Sequence, residues 1–246
     1  MILPKQNQKS IVSELYGTTI LKERKRVIIN FPIIIQENMY KEKSRFYFVI
    51  ALTYWIIYMI GLFVMGILYK KGISNYNIIY WIIAVIGVLI VIIKDKSITN
   101  LGFTTEKLKV NTIISLLIII ITFIISVIAG KYPILRLIKG SLYYLFYISL
   151  LEEILFRGFI QNYLCGLKCN KYVIFIIGAL LFSLTHLPFQ MYVNNNISLN
   201  YIFKALPQLL FCFAFHLIMC FITYKRKDIT IPIALHYAID YLQSAL

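Results

Sequence analysis

The residues of this chain that could do chemistry are few and sit in apolar surroundings. Glu152, Glu153 and Arg157 occur in the run Leu151-Glu152-Glu153-Ile154-Leu155-Phe156-Arg157-Gly158. A charged side chain at mid-bilayer costs roughly 2.5–3.5 kcal/mol on insertion scales, so such groups must face a polar interior. On a helix, Glu153 and Arg157 are four apart, about 40° around the axis, and can pair. Glu152 and Arg157 are about 140° apart and cannot pair well. Glu152 is therefore the carboxylate left over, needing a water, a metal or a His. In a dry pocket it suits a general base. Glu153 and Arg157 read as a charge pair that holds helices together or shapes a site.

Two of the three His lie in the apolar stretches that follow. His186 ends Phe182-Ser183-Leu184-Thr185-His186, and His236 stands four residues before Asp240. That spacing puts His236 and Asp240 on one helix face, where the carboxylate can orient the imidazole or join it in holding a water or a metal. Two His, a Glu pair and an Asp on three separate stretches form one candidate site. His216, among Phe215, Leu217 and Ile218, reads as structural.

The elements that must position these residues follow from composition. The chain has 246 residues, 60% of them hydrophobic and 14% charged. Soluble domains carry about 45–50% apolar and about 25% charged residues. The bias excludes an ordinary soluble fold, and also disorder, which needs low hydrophobicity and high charge. Hydrocarbon leaves the backbone only helices to satisfy itself in stretches of about 20 apolar residues. The expected fold is all-α: a polytopic membrane bundle of about seven helices (six to eight), with its site within the bilayer. The spans are about 46–69, 76–93, 110–129, 140–164, 172–186, 201–224 and a short 229–242, with a kink at Pro207.

Three regions are expected. Residues 1–45 form a basic cytoplasmic or interfacial segment, in which Val27 to Ile35 suits the membrane interface. Residues 46–134 form N-terminal membrane helices, and 135–246 the core that carries the motifs. No cleavable signal is visible. The net charge of +15 reads as topology and as attraction to anionic lipid, with no nucleic-acid partner expected. With the N-terminus inside, 18 Lys and Arg fall on the cytoplasmic side and 5 on the other. Cys165, Cys169, Cys212 and Cys220 form no CxxC and read as unpaired thiols, the first two in a cytoplasmic loop.

The order Glu152-Glu153-x-x-x-Arg157, then Phe182-x-x-x-His186, then His236-x-x-x-Asp240 resembles the motif set of the CAAX prenyl protease and bacteriocin-processing (Abi, or CPBP) family of intramembrane metalloproteases. Phe156-Arg157-Gly158 and Ile231-Pro232-Ile233 resemble its flanks. The likeness covers about residues 135–245. It implies an integral membrane endopeptidase, in a bacterial plasma membrane. Glu152 would be the general base and His186 its partner in activating water. His236 and Asp240 would stabilise the oxyanion, orient the peptide or bind a metal, and Glu153 and Arg157 would support the site. Glu152, His186, His236 and Asp240 are also the candidates for a divalent metal such as zinc, although no HExxH is present. The implied substrate is a peptide precursor, a bacteriocin, a signalling peptide or a membrane-protein tail. Asp240 stands where the eukaryotic and archaeal CAAX proteases have Asn. Ala214-Phe215-His216 stands where small residues are common in the family. Two other readings compete: a non-catalytic immunity or peptide-binding protein, and a proton-coupled transporter.

Overall fold

The computed structural model describes residues 39–104 and 107–246. The Val27 to Ile35 segment and most of the basic N-terminal region lie outside the described residues. What is described is helical, without a strand. The elements are α1 (Arg45–Lys70), α2 (Ile78–Asp95), α3 (Leu108–Ile128), α4 (Ile134–Leu167), α5 (Lys171–Leu184), α6 (Leu187–Val193), α7 (Leu199–Arg226) and α8 (Thr230–Ala245).

Six helices among the described residues are long and apolar enough to cross a membrane, against the seven expected. They are α1 to α4, α5 continued through α6, and α7. The expected seventh span is α8, which has only 16 residues. Its length reflects its task. Its buried residues include His236, Tyr237 and Tyr241, so it lines the interior rather than facing hydrocarbon. The chain is an integral membrane protein. Pro207 lies inside α7, which is one helix from Leu199 to Arg226.

Apolar side chains point outward on these helices. Ile113, Leu116, Leu117, Ile120, Ile121 and Ile124 of α3 are exposed, whereas its buried residues are Asn111, Ser115, Thr122 and Ser126. In lipid the small and polar residues make the helix contacts, since hydrocarbon solvates Ile as well as a protein core does. That face of α3 packs on α8. The Ser126 hydroxyl lies 2.9 Å from the Tyr241 hydroxyl, which itself donates to the Leu137 carbonyl at 3.1 Å.

α4 is the central element. It is not wound uniformly: Tyr143–Ser149 and Ile154–Ile160 are π-helical, and Leu150–Glu153 between them is α-helical. Such π segments arise where a helix carries function. Here the one α-helical turn between them holds both glutamates. Around α4 the core is aromatic: Tyr54 packs on Phe159 at 4.8 Å and Tyr58 on Phe156 at 5.4 Å. Gly158 lets α4 touch the turn Thr99–Leu101, because a Cβ there would stand 2.2 Å from the Leu101 carbonyl oxygen.

Two local features set the register of α8. The Asp228 carboxylate accepts from the Thr230 N–H at 2.7 Å, satisfying one of the free donors at the helix start. The Ile229 N–H donates to the Gly102 carbonyl at 3.0 Å. Gly102 has φ +99° and would carry a Cβ only 2.6 Å from Ile229. The end of the N-terminal segment is tied down as well. The Tyr40 hydroxyl donates to the Arg157 carbonyl at 3.0 Å, and the Tyr40 N–H donates to Asn162.

Candidate active site

Four helices bring the expected residues together. Glu152, Glu153 and Arg157 come from α4, His186 from the turn between α5 and α6, and His236 and Asp240 from α8. His186 sits at that turn because Pro188, in the first turn of α6, needs no N–H partner.

Glu153 and Arg157 form the expected pair, at 2.9 Å, with no exposed side-chain surface on either. They do so although Arg157 lies in a π-helical segment, where the α-helical spacing used above does not strictly hold. The guanidinium also lies 4.5 Å from the centre of the Phe182 ring and 5.3 Å from that of Phe215. A cation against aromatic faces is partly compensated for its lost water.

Glu153 does more than pair locally. Its Oε1 is 2.7 Å from His236 Nδ1. A carboxylate paired with Arg157 can only accept, so Nδ1 carries the proton and Nε2 is turned to the cavity. There Nε2 lies 3.4 Å from Asp240 Oδ2 and 3.8 Å from Glu152 Oε2. The expected shared face of His236 and Asp240 is thus present. The link from Glu153 to His236 has no sequence signal, since the two are on separate helices 83 residues apart.

Accessibility separates the two glutamates. Glu152 keeps 18% of its side chain exposed and Glu153 none, so only Glu152 can meet a substrate. Glu152 and His186 line two cavities together. The smaller, about 80 Å³, is completed by Phe182, Cys212, His236 and Asp240. The larger is about 420 Å³ and runs toward the α1–α2 turn. Among the described residues no ion pair joins Glu152 to His186 directly; both line the same cavity space. Among the described residues no three His, Cys, Asp or Glu side chains converge closely enough to hold a metal ion. No step below passes through the divalent metal considered above.

His216 is buried behind the site. Its Nε2 donates to Gln161 Oε1 at 3.1 Å, and the Gln161 amide donates to the Ile174 carbonyl at 3.1 Å. The Phe182 ring lies against it, with centroids 5.1 Å apart. Gly178 makes this contact of α4, α5 and α7 feasible, since a Cβ there would overlap Gln161. The structural reading of His216 fits this placement. Of the four Cys, only Cys169 is exposed, and all are free thiols.

A family model described as type II CAAX prenyl endopeptidase Rce1-like matches residues 110–242. No curated protein and no solved structure matches the chain. The matched stretch runs from α3 into α8 and includes Glu152, Glu153, Arg157, His186, His236 and Asp240. It covers more than half of the chain, which therefore belongs to the Rce1-like family of type II CAAX endopeptidases, membrane proteases.

Proposed function

We propose that this protein is an intramembrane endopeptidase that cleaves a peptide bond with a water activated by Glu152. The observation that carries this reading is the placement of Glu152. It is the accessible carboxylate of the pair, it lines two cavities together with His186, and it faces the Nε2 edge of a His236 whose other nitrogen is fixed by Glu153. In the proposed step, the water oxygen bonds to the peptide carbonyl carbon while Glu152 takes the water proton. His186 orients that water. His236, held between Glu153 and Asp240, donates from Nε2 to the developing oxyanion when protonated. The tetrahedral intermediate then collapses, the C–N bond breaks, and the proton held by Glu152 passes to the leaving amine.

The substrates proposed are peptide precursors, such as bacteriocins or signalling peptides, and membrane-protein tails. The excess of Lys and Arg in the N-terminal region supports a cytoplasmic N-terminus, by the positive-inside rule. Comparative mass spectrometry of peptides from cells carrying the wild type and Glu152→Gln tests the reading. A precursor that accumulates only with the variant supports it. Identical peptide profiles with equal protein levels would favour a peptide-binding or immunity role.

A further inference from the structure

Lys204 is a cation inside a membrane-spanning helix. It lies past the first turn of α7, about 7.5 Å along the axis from Leu199. Residues 187–227 hold no Asp or Glu, and among the described residues no carboxylate pairs with Lys204. It opens instead onto a groove of about 420 Å³, completed by Asn194, Tyr201, Ala205, Pro207 and Gln208. We propose that this groove holds the phosphodiester headgroup of an anionic phospholipid, with an acyl chain lying along α7, whether or not the chain cleaves peptides.

The polar part of the groove is held in place. The Asn194 amide donates to the Gln190 carbonyl at 2.8 Å and to the Tyr201 hydroxyl at 3.1 Å, and that hydroxyl donates to Gln190 Oε1 at 3.4 Å. Gln208, one turn beyond Lys204, adds an amide that can donate to a phosphate oxygen. A second cation stands nearby, since Lys70 of α1 donates to Asn195, the neighbour of Asn194. α7 starts without a side-chain cap, so its first N–H groups add positive potential at the same end. A long Lys side chain reaches from within the hydrocarbon back to the headgroup level, where a phosphate is the available counter-charge.

Below Lys204 runs an apolar path. Pro207, Phe211, Ala214 and Ile218 follow it at spacings of three or four, so they share one side of α7, and all are exposed. The rise from Lys204 to Ala214 is about 15 Å, half the thickness of the hydrocarbon core. A cation above one leaflet's depth of apolar surface matches both ends of a phospholipid. A free phosphate would use only the polar end, and a neutral lipid only the apolar one.

The groove also adjoins the catalytic cavities. Gln190, which carries Asn194 and Tyr201, lines the larger cavity, and Phe211 lines the smaller. A lipid in the groove thus braces walls of both.

The test uses the full chain in vesicles of equal parts phosphatidylcholine and phosphatidylglycerol. After mild detergent extraction, native mass spectrometry reads the lipid retained. The wild type is expected to keep phosphatidylglycerol in preference to phosphatidylcholine, and Lys204→Gln to keep about fivefold less of it. Lys204→Arg should retain it, as should Lys71→Gln, which removes an exposed lysine outside the groove. Each variant is checked for a monodisperse elution profile. A phosphatidylglycerol with a diazirine in its acyl chain should cross-link at Phe211, Ala214 or Ile218. Equal retention by Lys204→Gln, equal retention of the two lipids, or cross-links spread evenly over the other lipid-facing helices would overturn the proposal. Displacement of the lipid by inorganic phosphate alone would make this a simple anion site and overturn the lipid assignment.

Discussion

His236 Nδ1 of α8 and Glu153 Oε1 of α4 lie 2.7 Å apart, and the same oxygen is 2.9 Å from Arg157. One buried carboxylate thus serves two cations' positions at once. It neutralises Arg157 and fixes which nitrogen of His236 faces the cavity.

Glu153→Ala should therefore damage both fold and site. It leaves Arg157 buried without a partner, which typically costs 3–5 kcal/mol. Thermal unfolding in detergent should show a clear loss of Tm, with cleavage lost as well. An undiminished Tm would mean that Arg157 has no need of the pair.

Asp240→Asn should keep more activity than Asp240→Ala. An Asn amide can still accept from His236 Nε2 when the imidazole is protonated, or donate to it when neutral, across the 3.4 Å that separates the pair, and a methyl can do neither. Initial rates on one peptide substrate would rank the variants. Equal rates for Asn and Ala would remove Asp240 from the site.

Gly158→Ala should destabilise the protein by forcing α4 away from the Leu101 carbonyl, since backbone cannot swing aside as a side-chain tip can. Arg157 is the adjacent residue, so the Glu153 pair should loosen with it. Loss of Tm exceeding that of Gly140→Ala, where a Cβ would meet only the Tyr241 ring at an ordinary 3.5 Å, would bear this out. Equal behaviour of the two would refute the close approach.

His216→Leu should cost about 1–3 kcal/mol, because it leaves Gln161 Oε1 buried without its donor. The expected activity loss is small, since His216 meets the site through the Phe182 ring. A large fall in kcat with an unchanged Tm would instead give His216 a direct role.

Cys169 is a built-in reporter of orientation, being the exposed thiol while Cys165, Cys212 and Cys220 are buried. A membrane-impermeant maleimide should label it in inverted vesicles and leave it untouched in intact spheroplasts. The opposite pattern would reverse the proposed cytoplasmic N-terminus.

What could be read in the sequence is what a helix dictates locally. The pairing of Glu153 with Arg157 and the shared face of His236 and Asp240 follow from a spacing of four residues, and both are present. The membrane class follows from composition, because long uncharged stretches have no other stable setting. Tertiary structure decided the remainder. The joining of Glu153 to His236, the Gln161–His216 contact and the larger cavity beside Glu152 all arise between helices distant in sequence. In lipid, an apolar side chain gains little by turning inward, so hydropathy carries no period that marks the inner face. α3 shows this most plainly: its Ile and Leu dominate the sequence, yet Asn111, Ser115, Thr122 and Ser126 make its buried face. Which faces meet depends on packing and hydrogen bonding between helices, and those exist only once the bundle has assembled.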